Sequence, residues 1–337
     1  MRIAVFGTKR YDRQYLTEAN AGFGHELLFL EPRLDRVTAP LADGAPAICA
    51  FVNDQLDAAV LETLAAAGTR IVSLRCAGYN NVDLAAAQRL GLPVVRVPAY
   101  SPHAVAEFAI GLLLALDRKI HRAWARVREN NFALDGLIGR NLHGRCVGVI
   151  GTGRIGALVA RTLKLGFGCE VLASDVAESA ELAAIGIRYV SREELFARAE
   201  IVTLHCPLTP DTRHMIDDAV IAAARDDLVI VNTSRGALID TRALIAGLKS
   251  KKIRGVALDV YEQEADLFFE DLSNEIIDDD DFQRLLTFPN VLVTGHQAFL
   301  TEEALRGIAH TTLANVSEFE AGRPLVNQLG PHHVHPK

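Results

Sequence analysis

A chain of 337 residues is longer than one hydrophobic core usually serves, so two domains are expected. Half of the residues are apolar and 23% are charged, an ordinary globular mix, and the net charge of −7 argues against nucleic acid as the main partner. No apolar run reaches the ~18 residues of a membrane span. Met1-Arg2-Ile3-Ala4-Val5-Phe6 runs directly into a strand-like stretch without the pattern of a signal peptide. Cys49, Cys76, Cys146, Cys169 and Cys206 are odd in number and scattered, which reads as reduced thiols in a cytoplasmic protein.

In chain order, Arg2 to Phe6, Glu26 to Phe29, Ala47 to Phe51, Ile71 to Leu74 and Val94 to Val97 read as strands. Helix-like patterns such as Gln55 to Ala66 and Leu84 to Leu90 lie between them. Alternation of this kind predicts a parallel sheet covered by helices, here a flavodoxin-like unit without a dinucleotide motif. Ser101-Pro102 then opens one long helix from Ala104 to about Asn130, with Glu107 placed to favour its positive end. Its leucine-rich face is expected to carry the first crossing between domains.

A second series follows from Asn141. Strands are expected at Val147–Ile150, Glu170–Ala173, Ile201–His205, Leu228–Asn232, Gly255–Leu258 and Val291–Thr294. Helices start near Gly156, Arg192, Asp217 and Thr241. Six strands of this kind predict a second doubly wound α/β domain, of the Rossmann type. The last helix, Thr301 to about Ala321, should return the chain to the first domain. The expected division is therefore 1–100 with 299–337 for the substrate domain and 101–298 for the inserted nucleotide domain. The acidic stretch from Glu262 to Asp281 reads as a solvated excursion. His332, His333 and His335 read as a polar tail, so no metal site is expected.

Gly151-Thr152-Gly153-Arg154-Ile155-Gly156 directly follows the strand ending at Ile150, and Asp175 lies about 20 residues further on. The glycines allow a tight turn and close approach to a pyrophosphate, whose charge meets free N–H groups at the helix start. Asp175 is placed to accept hydrogen bonds from a ribose. Strand, turn, helix and acid all occur in the required order, which predicts a dinucleotide site.

Ligands of open α/β sheets gather beyond the carboxyl ends of the strands. There the sequence offers His205-Cys206-Pro207, Thr233-Ser234-Arg235, Asp259 and, after the last strand, His296, with Glu264 just past Asp259. Arginine can clamp a carboxylate and polarise a carbonyl. Histidine can deliver a proton near neutral pH, and a neighbouring glutamate favours its imidazolium form. Arg235, His296 and Glu264 fit hydride-transfer chemistry. By position alone they also fit a surface salt bridge, a loop histidine and a solvated acid.

The segments Gly151 to Gly156, His205 to Pro210, Asn232 to Asp240 and Ala257 to Glu262 resemble the D-isomer-specific 2-hydroxyacid dehydrogenases. Leu74 to Asp83, Val97 to Ser101 and Gly295 to Ala304 look like the fermentative D-lactate dehydrogenase branch. Other branches typically have proline before the catalytic histidine, where this chain has Gly295. One departure is Ser101-Pro102-His103, where an acidic residue often follows the tyrosine.

The resemblance implies NAD as cofactor and a small 2-oxoacid or 2-hydroxyacid as substrate, in a cleft between two domains. It implies Arg235 as carboxylate anchor, Glu264 as partner of His296, and His296 as proton donor. Asp259 is implied on the nicotinamide side. Ala77 and Gly78 are implied as backbone anchors, and Tyr100 and Phe299 as walls around a small side chain. Core packing is the alternative for the two aromatics. A homo-oligomer, dimer or tetramer, is expected. Two other readings remain: an enzyme for a bulkier 2-oxoacid such as phenylpyruvate or 2-oxoisocaproate, and an NAD-sensing interaction protein like the corepressors of the superfamily.

Overall fold

A computed structural model of the chain describes residues 1–330; His332, His333 and His335 lie outside them. The described residues divide into two compact units, one of residues 1–101 and 300–330, the other of residues 102–299.

In the first unit, β1 (Arg2–Val5), β2 (Glu26–Phe29), β3 (Ala47–Ala50), β4 (Ile71–Leu74) and β5 (Val94–Val95) form one parallel sheet. Its order is β2-β1-β3-β4-β5, the flavodoxin-like winding. The helices are α1 (Arg10–Asn20), α2 (Ala58–Ala66) and α3 (Leu84–Arg89). Strands β3 and β4 are buried on both faces, which is why they read as unbroken apolar runs. Asp57 and Asp83 accept backbone N–H groups at the starts of α2 and α3 and so place both helices.

The second unit opens with α4 (Pro102–Asp117) and α5 (Ile120–Arg128), where the sequence predicts a single helix. The break lies at Lys119, whose φ is +53°. Gly139 approaches so closely that a Cβ there would sit 2.5 Å from the Asp117 carbonyl oxygen. The Asp117 carboxylate meanwhile takes the Arg140 N–H at 2.8 Å and the Arg254 guanidinium at 2.5 Å. The end of α4 is thus fixed by chain that arrives later, and no helix breaker marks it in the sequence. The first turn of α4 contains no acid, so Glu107 is too far along to serve the helix end.

The sheet of this unit holds β6 (Cys146–Ile150), β7 (Glu170–Ser174), β8 (Arg188–Tyr189), β9 (Ile201–Leu204), β10 (Leu228–Asn232), β11 (Ile253–Leu258) and β12 (Val291–Val293). It is wholly parallel among the described residues, in the order β12-β11-β10-β9-β6-β7-β8. Seven strands replace the six expected. The seventh, β8, has only two residues, too short for alternation to reveal, and pairs with Leu172 and Ala173. The other helices are α6 (Arg154–Leu165), α7 (Ala180–Ala184), α8 (Arg192–Arg198), α9 (Asp218–Ala223), α10 (Thr241–Lys249) and α11 (Asp280–Leu286). The winding direction reverses between β6 and β9, which opens a crevice at their carboxyl ends. Finally α12 (Glu302–Glu320) belongs to the first unit and packs Ala309, Leu313 and Val316 against Ile3, Val5 and Ile71.

Candidate active site

The turn Gly151 to Gly156 leads from β6 into α6, whose first-turn N–H groups have no acceptor within the helix. A Cβ at Gly156 would stand 1.8 Å from the Gly151 carbonyl oxygen, and one at Gly151 would stand 2.6 Å from the Cys206 nitrogen. Both positions require glycine for packing. Gly153 differs: a Cβ there meets nothing within 4 Å, so the turn opens on free space at the helix start. Asp175, just beyond β7, accepts the Thr152 backbone N–H and the Thr152 hydroxyl, the latter at 3.1 Å. Burial opposes its charge, but the hydrogen bonds from Thr152 and Ala177 outweigh burial and hold the carboxyl below its usual range.

Beyond β9, burial pushes the His205 imidazole down to about 4, so it is neutral at physiological pH, and its Nε2 lies 2.8 Å from the Thr203 hydroxyl. Burial pushes the Cys206 thiol up to about 11, which makes it a packing group. The Ser234 hydroxyl donates to the Cys206 carbonyl at 2.6 Å, and the Pro207 carbonyl accepts the Thr212 hydroxyl at 2.7 Å. The first bond ties the loop after β10 to the loop after β9, and the second folds the β9 loop on itself. Thr233 is buried, and its hydroxyl has no hydrogen-bond partner among the described residues. Such an orphan costs stability unless something else meets it. The open turn and this hydroxyl fit a dinucleotide.

Arg235 follows β10. One of its guanidinium nitrogens donates to the Ser234 carbonyl at 2.7 Å, and its own carbonyl accepts from Asn232 at 2.8 Å. The rest of the guanidinium fork meets no protein acceptor among the described residues. Past β12, His296 stands in the left-handed region with φ at +53°. Its Nδ1 lies 2.7 Å from Glu264 Oε1, and Glu264 Oε2 accepts the Tyr261 N–H at 2.8 Å. With Nδ1 engaged, Nε2 is the nitrogen left for chemistry. Glu262 is occupied elsewhere, by His214 at 2.5 Å and Thr241 at 3.2 Å.

Asp259 is fully buried, and burial raises its carboxyl above the usual range despite hydrogen bonds that act the other way. One oxygen accepts the Thr294 hydroxyl at 2.6 Å and the Gln297 N–H at 2.9 Å; the other accepts the Ala298 N–H at 2.8 Å. Its observed work is to hold the loop that carries His296. The sequence reading did not foresee this role, nor the part of Thr294. Phe299 is buried next to that loop.

In the first unit, the loop after β4 is fixed by Arg96, which donates to the Ala77 carbonyl at 2.8 Å and lies over the Tyr79 ring. The N–H groups of Ala77 and Gly78 donate to no protein group among the described residues. Tyr100 rests on α12 at Gly307, where a Cβ would stand 3.4 Å from the Tyr100 carbonyl oxygen. The acidic excursion is only partly solvated: Asp279 accepts the Tyr261 hydroxyl at 2.8 Å and caps α11, while Phe268 is buried. Among the described residues no group of three His, Cys, Asp or Glu is gathered as a metal site, and no helix is long and apolar enough to cross a membrane.

A glycine turn at a switch point, with an arginine, an imidazole and a carboxylate beyond the same strand ends, defines a nucleotide-dependent oxidoreductase. The NAD-binding domain of the D-isomer specific 2-hydroxyacid dehydrogenases matches residues 110–298. The chain is 56% identical to 2-hydroxyacid dehydrogenase homolog 1 of Schizosaccharomyces pombe, over 95% of this chain and 96% of that one. It is 51% identical to the D-lactate dehydrogenase of Escherichia coli, over 98% and 100% respectively. The solved structure of the pyruvate reductase of Chlamydomonas reinhardtii matches with a TM-score of 0.92 at 45% identity, covering 97% of this chain and 98% of that one. The chain belongs to the NAD-dependent D-isomer-specific 2-hydroxyacid dehydrogenases.

Proposed function

We propose that the protein is a D-lactate dehydrogenase that reduces pyruvate reversibly to D-lactate, with His296 as the proton donor. The observation that carries this reading is the engagement of His296 Nδ1 by Glu264, which leaves Nε2 to face the substrate oxygen. NAD, when bound, supplies or accepts the hydride. Gly151, Gly153, Arg154, Ile155 and Gly156 hold its pyrophosphate, and Asp175 holds the adenosine ribose. His205, Cys206, Pro207, Thr233, Ser234 and Asp259 line the remainder of its path.

In the forward direction the free part of the Arg235 fork binds the carboxylate and polarises the 2-oxo group. His296 delivers its proton to the 2-oxo oxygen as that oxygen gains charge, and Glu264 stabilises the imidazolium until delivery. The Ala77 and Gly78 N–H groups supply further carboxylate contacts. Tyr100 and Phe299 restrict the side chain to a methyl group. The reverse reaction uses neutral His296 as base. The names of the E. coli and Chlamydomonas relatives support this substrate choice.

Turnover tests the reading: pyruvate with NADH should have the highest kcat/KM in a panel with phenylpyruvate and 2-oxoisocaproate. A bulkier favourite would move the assignment within the family. No turnover with any of them would favour a nucleotide-sensing interaction protein.

We further propose a homo-oligomer. Helix α5 buries none of its residues, and Trp124, Phe132 and Ile138 in and after it are 64%, 69% and 85% exposed. Apolar surface gathered in one segment suits a second copy of the chain. Light scattering of a Phe132→Glu variant should report smaller particles. All five cysteines are free and buried, which supports a reducing compartment such as the cytoplasm.

A further inference from the structure

Phe269 lies in the excursion between β11 and α11, and its ring packs against the His296 imidazole. The centroids are 5.6 Å apart and the planes tilted by 40°. Both partners have left-handed backbones, with φ at +71° for Phe269 and +53° for His296. That conformation costs an L-residue about 1–2 kcal/mol, and a phenylalanine lacks the short polar side chain that eases it. Such outliers persist where their surroundings determine them, and they cluster at functional sites.

The flanking structure shows what holds the turn. The Glu264 carbonyl accepts the N–H groups of Leu267 and Phe268 at 3.0 and 2.9 Å. Phe268 is buried against Phe282, with ring centroids 5.9 Å apart. Both rings pack on the same core, Phe268 buried within it and Phe269 at its margin, where it also meets the imidazole. The hydrogen bond to Glu264 fixes His296 at a single atom, Nδ1. One such bond leaves the ring plane free to rock, whereas a second ring packed against the imidazole restricts that motion and shields part of it.

We infer that Phe269 is a positioning residue for His296, keeping Nε2 aimed at the substrate oxygen. This rests on the proton-donor role proposed above. The full-length protein with Phe269→Ala, Phe269→Leu or Phe269→Tyr tests it, beside His296→Gln. Phe269→Ala should lower kcat for pyruvate reduction about 10-fold while KM for NADH changes less than about 2-fold. In the free enzyme it should also speed modification of the His296 peptide by diethyl pyrocarbonate several-fold.

Phe269→Tyr should restore both properties. Phe269→Leu, which fills apolar volume without a planar ring, should keep the unfolding midpoint and still lose kcat. Unchanged kcat and modification rate in Phe269→Ala would overturn the inference, as would complete rescue by leucine. If Phe269→Ala fails to fold, the leucine and tyrosine variants decide alone. Full activity of His296→Gln would instead remove the proton-donor reading itself.

Discussion

The two edges of the second sheet treat charge in opposite ways. Where the strands begin, ionic groups are closed on one another. Asp117 spends both oxygens on Arg254 and the Arg140 N–H, and Glu200 takes Arg145 at 2.5 Å. Where the strands end, three groups are left open on one side among the described residues: His296 is held by Nδ1, Arg235 by one guanidinium nitrogen, and the Thr233 hydroxyl by burial. Matched groups fasten the fold, and half-matched groups are available to a ligand. The difference separates stability from chemistry within one domain, and it can be broken from either side.

The largest effect should come from His296→Gln, which lowers kcat at least about 10²-fold with NADH affinity nearly intact, as steady-state rates and fluorescence titration would report. Retained turnover would erase the distinction between the edges. Next, the Asp175 carboxylate should repel a 2′-phosphate, so kcat/KM with NADH should exceed that with NADPH by about 10²-fold. Equal efficiency would remove Asp175 from the cofactor.

At the opposite edge, Asp117→Asn should lower the thermal midpoint by about 5–10 °C and leave kcat unchanged below the transition. A fall in kcat at low temperature would show that the edges are coupled. Glu264→Gln sharpens the other side. It keeps the shape of the hydrogen bond to His296 and removes its charge, so kcat for pyruvate reduction should fall about 10-fold with NADH affinity nearly intact. An unmoved kcat would reassign the acid.

The smallest effect concerns His205. Its folded value of about 4 lies below the ordinary 6.5, so the unfolded chain takes up the proton first as pH falls through that window. Stability present above pH 6.5 should be lost progressively toward pH 4, and less of it in His205→Gln, as urea midpoints across the range would show.

Much of this was legible in the sequence because period and punctuation carry it. The strands at Glu26–Phe29, Ile71–Leu74 and Leu228–Asn232 have the bounds their apolar runs suggest. The glycine turn and Asp175 were readable from spacing. The break at Lys119 was not, since its causes, Gly139 and Arg254, are distant in sequence. The loop-holding part of Asp259 was not legible, because position gives the strand end but not the three donors that enclose its carboxylate. Phe269 was hidden in a segment read through its acids. The apolar run Leu267-Phe268-Phe269 was a local sign that part of it turns inward.

With His296 as the proposed proton donor, its left-handed backbone also sets durability against turnover. Glycine or asparagine would adopt that φ with less strain, so replacing the histidine with either should make the loop more tolerant of heat. A thermostability screen blind to activity would therefore reward loss of the imidazole. Directed evolution of this protein needs catalysis as a simultaneous criterion, with position 296 withheld from the library.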